Sequence, residues 1–126
     1  MRQTKNQIPD QPTPYLVGYA RVSTEEQNLD MQIAALKRAG VKPDDIHVEK
    51  VSTRKAKRPV LDKAISELRE GDVFVVWKLD RIARSRADLY KRLDEINEAG
   101  AGFKSLTEQF DFSTAIGKLV LGVFVL

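Results

Sequence analysis

YLVGYARV, residues 15–22, is a run of aliphatic and aromatic side chains interrupted only by Gly18 and Arg21. A run of that length ending abruptly in polar residues predicts a buried β-strand. Ser23-Thr24-Glu25-Glu26 follows at once, and Ser-x-x-Glu is the capping-box pattern, so a helix is expected to begin at Ser23. Leu29, Ile33 and Leu36 then recur at helical spacing, and Gly40 stands where a left-handed C-cap belongs.

The alternation continues outward from this unit. Ile46–Lys50 reads as a short second strand. Pro59 suits the first turn of a second helix that buries Leu61, Ile65 and Leu68 and ends near Gly71. Val73–Trp77 (VFVVW) is a continuous apolar strand, the kind expected when both faces are covered. Ala87–Ala99 predicts a third helix with Leu89, Leu93 and Ile96 on one stripe and Gly100 as its stop, and Phe103–Leu106 a fourth strand. Strand alternating with helix predicts an α/β fold, a three-layer α/β/α domain around a mostly parallel sheet of four to five strands.

The ends of the chain read differently. Met1–Pro14 carries Pro9, Pro12 and Pro14 among polar residues and is expected to be a flexible leader. Residues 15–112 form the expected domain. Residues 113–126 begin a helix in which Ile116, Leu119, Val120, Val123 and Phe124 are joined by apolar residues on the other faces, so something must cover it. That segment is the expected start of a truncated oligomerisation helix, with Ile116, Leu119, Val120, Val123 and Phe124 as interface residues.

Composition narrows the chemistry. The 126 residues include no cysteine, which excludes disulfides, thiolate catalysis and Cys-based zinc sites. The opening residues show no charged stretch followed by an apolar one, so a secretory signal is not expected, and the run Leu119–Leu126 is too short to span a bilayer. A net charge of +3 permits nucleic-acid binding without requiring it. His47 is the single histidine and alternates with Ile46 and Val48 on a short strand, so it is expected at the surface rather than in a triad.

Ligands on parallel sheets bind at the carboxyl ends of the strands. Those ends carry Arg21, Ser23 and Gln27 after strand one, then Arg54, Lys55, Lys57 and Arg58 after strand two. Lys78, Asp80, Arg81 and Arg84 follow strand three. A guanidinium fork matches phosphate oxygens bidentately and keeps its charge. Several arginines around one serine can therefore neutralise a phosphoryl-transfer transition state without a metal ion.

Each residue also has a plainer reading. Ser23 can be an N-cap only. Arg81 and Arg84, three apart, can form a solvated face with Asp80 or Asp88. The run from Arg54 to Arg58 can be an exposed loop, Tyr19 can be strand packing, and Asp80 can be structural.

Taken together the motifs resemble a family. Tyr19-Ala20-Arg21-Val22-Ser23-Thr24 with Gln27 resembles the nucleophile motif of the resolvase/invertase group of serine recombinases. Trp77-Lys78-Leu79-Asp80-Arg81-Ile82-Ala83-Arg84 resembles its second signature, and Arg58-Pro59-x-Leu61 after Glu49-Lys50-Val51-Ser52 a third region. The resemblance implies a catalytic domain in which Ser23 attacks a DNA phosphodiester, forming a 5′-phosphoserine ester and freeing a 3′-hydroxyl. Arg21, Arg58, Arg81 and Arg84 would hold the phosphate, with Tyr19, Gln27 and Asp80 in support. Arg54, Lys55, Lys57 and Lys78 would lie along the DNA backbone.

The ester stores the energy of the broken bond, so no cofactor, metal or ATP is implied. The implied partners are double-stranded DNA and further copies of the chain, as a homodimer and a tetramer, with no membrane. The implied location is the cytoplasm, at the bacterial nucleoid. Thr53 stands where the family often has glycine. The family's long C-terminal helix normally runs on into a separate DNA-binding region that this sequence lacks, so the isolated chain is expected to be inactive. The competing expectation is a non-catalytic flavodoxin-like module that binds phosphate, DNA backbone or a protein partner.

Overall fold

The computed structural model describes residues 14–23, 28–51, 57–108 and the backbone of 110–111. The elements in chain order are β1 (Leu16–Ser23), α1 (Leu29–Arg38), a 3-10 turn (Pro43–Asp45), β2 (Ile46–Val51) and α2 (Pro59–Ser66). There follow β3 (Val73–Val76), α3 (Leu79–Ile82), α4 (Arg86–Glu98), β4 (Gly102–Ser105) and β5 (Phe110–Asp111). The sheet order is β2-β1-β3-β4-β5. β1 pairs in parallel with both β2 and β3, β3 pairs in parallel with β4, and β5 closes the edge antiparallel to β4.

Strand alternation divides the core into two layers. Val17 and Tyr19 of β1 and Phe74 and Val76 of β3 face α2 and α4, where Leu61, Ile65, Leu89, Leu93 and Ile96 pack on them. Ala20 of β1 and Val73 and Val75 of β3 face α1 and meet Leu36 and Val41. Both faces of β1 and β3 are thus covered, which explains why VFVVW shows no polar alternation. Gly18 lies on the α1 side, where an added Cβ would come within 3.1 Å of Val41 Cγ1, so its bareness lets α1 approach the sheet. Gly40 holds φ at +106°, the expected left-handed stop of α1.

The helices and strands start within about two residues of their expected limits, apart from the first helix. Ser23 is the last residue of β1, aligned with Val51 of β2, and the described helix begins at Leu29 with Asn28 at the N-cap position. The expected start of the first helix at Ser23 is therefore corrected: the serine ends β1, and α1 as described starts six residues later, at Leu29. α3 was not anticipated, since a four-residue helix is too short to show periodicity. Residues 24–27, 52–56 and 113–126, on which Gln27, Arg54, Lys55 and the expected interface helix fall, lie outside the described residues. Among the described residues no helix is long and apolar enough to cross a membrane.

Candidate active site

Tyr19, Arg21 and Ser23 occupy alternate positions of β1 and so point to one face, the side covered by α2, α3 and α4. Arg21 and Ser23 are roughly 6–7 Å apart along the strand by its ordinary rise. Tyr19 is fully buried, and its hydroxyl donates to Glu49 Oε1 at 2.6 Å. Burial first, then the Glu49 hydrogen bond and charge, push the Tyr19 phenol far above its usual range. That hydroxyl stays protonated and structural.

Glu49 is itself 4% exposed and accepts from Val60 N–H at 2.9 Å and Leu61 N–H at 3.1 Å. Its carboxylate answers the open N–H groups at the start of α2, where Pro59 removes one donor and leaves others. Glu49→Gln should therefore cost about 1–3 kcal/mol, because an amide N–H₂ would face donors that now meet an oxygen. Urea unfolding checks this; a variant as stable as the parent would contradict the arrangement.

The carboxyl end of β1 is knotted to α3. Arg21 donates through Nη2 to the Asp80 carbonyl at 2.7 Å and through Nε to the Arg81 carbonyl at 3.3 Å. Arg81 returns a bond from Nη1 to the Arg21 carbonyl at 3.1 Å, and its Nε lies 3.2 Å from Asp80 Oδ1. On the other side of the strand Gln32 of α1 accepts from Arg21 N–H at 3.2 Å and donates to Arg21 O at 3.0 Å. Gln32 also donates to Asn28 Oδ1 at 2.9 Å. A fully buried amide thus does for the β1 backbone what a neighbouring strand would.

A second cluster adjoins α3. Arg58, at the N-cap position of α2 and 5% exposed, donates to the Ile82 carbonyl at 2.9 Å and to Asp88 Oδ2 at 2.5 Å. Asp88 Oδ2 also accepts from Arg84 N–H at 3.1 Å, with the Arg84 guanidinium 4.0 Å away. Arg92, one turn further along α4, sits 3.6 Å from Asp88 Oδ1 and 2.5 Å from Asp62 Oδ1 of α2. Burial works against the Asp88 carboxylate. The Arg58 hydrogen bond, the Arg84 N–H and the charges of Arg58 and Arg92 outweigh it and hold the carboxyl below its usual range.

Arg58 and Arg84 therefore meet at one carboxylate, while Arg21 holds the α3 backbone and Arg81 the β1 backbone, and α3 links the two groups. Arg81 is buried, so a solvated Arg81–Arg84 face is ruled out; only Arg84 is substantially exposed. Asp80 is exposed and Lys57 lies in solvent. Lys78 Nζ lies 4.6 Å and the Arg81 guanidinium carbon 5.5 Å from the centre of the Trp77 ring, two cation–π contacts just past the end of β3. His47 is half-buried on β2. Among the described residues no group of three His, Asp or Glu side chains gathers as a metal site would.

Glu49, Gln32 and Arg92 were missed as site-building residues, and Asp88 was named only as a surface partner of Arg81 or Arg84. Gln32 carried a signal, a polar residue between Leu29 and Leu36 on the apolar stripe of α1. Asp88 carried another: Ser85-x-x-Asp88 is a capping pattern, and Ser85 Oγ does accept from Asp88 N–H at 3.0 Å.

Residues 16–126 match the family described as Resolvase, N terminal domain. The chain is 44% identical over 108 residues to the DNA-invertase of Escherichia phage P1, covering 86% of this chain and 57% of that protein. It is 43% identical over 108 residues to the serine recombinase gin of Escherichia phage Mu (86% and 55% covered). Against the transposon Tn552 resolvase of Staphylococcus aureus the identity is 46% over 110 residues (86% and 55%). The chain spans about half the length of these curated relatives. Its fold is similar to the N-terminal catalytic domain of TP901-1 integrase, with TM-score 0.68 and 29% identity over 86% of this chain and 88% of that one. A resolvase family site-specific recombinase from Streptococcus pneumoniae shares the fold at TM-score 0.62 and 21% identity, over 89% and 88% of the two chains. Motif order, sequence match and sheet topology agree, and the chain belongs to the resolvase N-terminal domain family of serine recombinases.

Proposed function

We propose that this chain is the catalytic domain of a DNA strand transferase that cuts and rejoins duplex DNA through Ser23. In the cleavage step the Ser23 Oγ–P bond forms as the P–O3′ bond breaks. The proton lost by the serine is matched by one gained on the 3′-oxygen. The 5′-phosphoserine ester keeps the energy of the phosphodiester, so rejoining runs the same exchange backwards without ATP or a metal. Arg21, Arg58, Arg81 and Arg84 neutralise the phosphoryl oxygens, Gln27 and Asp80 position the phosphate and its arginines, and Tyr19 supports β1 from the core. Arg54, Lys55, Lys57 and Lys78 follow the DNA backbone. Residues 15–112 constitute the catalytic domain, and the reaction takes place in the bacterial cytoplasm at the nucleoid.

One observation carries this reading. Ser23 shares its face of β1 with Arg21, at the sheet end where α3 and Asp88 tie four arginines together. A non-catalytic module has no need of a serine at that point. To test it, the chain is joined to a DNA-binding module and incubated with duplex DNA carrying paired module sites. A denaturation-resistant adduct should appear on the 5′ end of a cut strand, unchanged by EDTA. Uncut DNA, a 3′ attachment or loss of the adduct with EDTA would reject the mechanism.

The partners we propose are duplex DNA and further copies of the chain, assembled as a dimer and tetramer through Ile116, Leu119, Val120, Val123 and Phe124. This part rests on sequence alone. Fully burying such a side chain is worth about 1.5–3 kcal/mol, so a helix apolar on nearly every face strongly favours self-association. Val123→Glu with Phe124→Glu should shift the protein towards monomer in analytical ultracentrifugation, with its circular dichroism unchanged. A parent chain that is strictly monomeric at high concentration would overturn it.

A further inference from the structure

Arg58 and Asp62 lie four residues apart at the start of α2, and Asp88 and Arg92 lie four apart on α4. The two pairs cross: Arg58 meets Asp88 at 2.5 Å and Asp62 meets Arg92 at 2.5 Å, while Asp88 and Arg92 are 3.6 Å apart. The two halves differ in exposure: the Arg58 and Asp88 side chains are 4% and 11% exposed, while Asp62, the partner of Arg92, is 58% exposed.

The contacts on Arg58 are directional. One terminal nitrogen is held by the Ile82 carbonyl and the other by Asp88, which fixes the plane of the guanidinium. Each terminal nitrogen has a second hydrogen in that plane, so fixing the plane fixes where the fork points. Asp88 also takes the Arg84 N–H, so the same carboxylate sets the chain on which Arg84 is carried. Arg92 stands against the other Asp88 oxygen, and part of the carboxylate's charge is answered from within the fold. Arg58 is therefore oriented by Asp88 without being neutralised by it alone.

We propose that Asp88 is a positioning residue for strand cleavage, holding Arg58 and the Arg84 segment in register with the scissile phosphate. The inference rests on the Ser23 reading above and adds a residue that acts through Arg58 rather than on the DNA. Misplacing a charge-neutralising group by about 1 Å can cost about 10²-fold in rate, and Asp88→Asn should slow adduct formation by about that factor. The loss belongs to charge neutralisation, so it should depend on the charge of the phosphate.

The test uses the chain joined to its DNA-binding module and two DNA substrates, one with an ordinary scissile phosphodiester and one with a methylphosphonate there. The methyl group removes the negative charge that Arg58 answers. Asp88→Asn and Arg58→Ala should both be strongly defective on the phosphodiester, and both defects should largely disappear on the methylphosphonate. Asp88→Glu, which restores the charge, should recover much of the phosphodiester rate, and it also serves if the asparagine variant is too unstable to assay. Asp62→Asn loosens the helix pair without touching Arg58, so any defect it causes should be equal on both substrates. An Asp88→Asn defect of the same size on both substrates, or faster cleavage than the parent, would overturn the proposal. Absence of a Ser23 adduct from the parent on both substrates would instead reject the reading on which it rests.

Discussion

Ser23→Ala should remove the covalent adduct and all strand cleavage while leaving DNA affinity within experimental error of the parent. The expected loss is on the order of 10⁶-fold, the size seen when a serine nucleophile is deleted from an enzyme that acts through it. The asymmetry between catalysis and binding follows from chemistry. DNA affinity comes mainly from charge on phosphates, and alanine removes only a small neutral hydroxyl. In the proposed mechanism cleavage depends on that one oxygen, because no other residue of β1 offers an uncharged hydroxyl on the Arg21 face at the strand's carboxyl end. Tyr19 cannot replace it: its hydroxyl is buried, bonded to Glu49 and held protonated. Cleavage and binding are read separately, by denaturing gel and by mobility shift. Residual cutting without an attached protein would point to a water nucleophile and defeat the serine mechanism.

The strands and the longer helices were legible because their patterns are long compared with the period being read. VFVVW and the α4 stripe of Leu89, Leu93 and Ile96 each report burial several times over. The start of α1 was misread for a physical reason: Ser-x-x-Glu is a local signal, while pairing with β2, which runs four residues beyond the pairing with β3, extends β1 through Ser23. The arginines could be named from sequence, yet what organises them could not. Arg58 and Asp88 are thirty residues apart, as are Tyr19 and Glu49, and no local pattern pairs them. The sequence also could not separate Arg81, buried against Trp77, from Arg84, half in solvent three residues later. Only the tertiary path of α3 distinguishes them.

The buried ion pair around Asp88 also sets an expectation for stability. Asp88→Asn removes the charge that answers Arg58 and Arg92, both nearly inaccessible to water. Breaking a buried pair by removing one partner costs about 3–5 kcal/mol, and asparagine, which keeps one acceptor oxygen, should fall near the lower end. The effect should carry a pH signature. The folded carboxyl titrates below its ordinary value, while in the unfolded chain it titrates near 3.9. The native state therefore binds fewer protons across that interval, and the Asp88 contribution is fully present above about pH 4–5 and lost as pH falls through the folded value. Other carboxylates titrate in the same range, but they do so in both proteins, and the difference between parent and variant isolates Asp88. Urea midpoints should thus lie far apart at pH 7 and converge in strong acid. Curves that stay parallel from pH 7 to about pH 2 would show that Asp88 is not the charge holding α2 to α4.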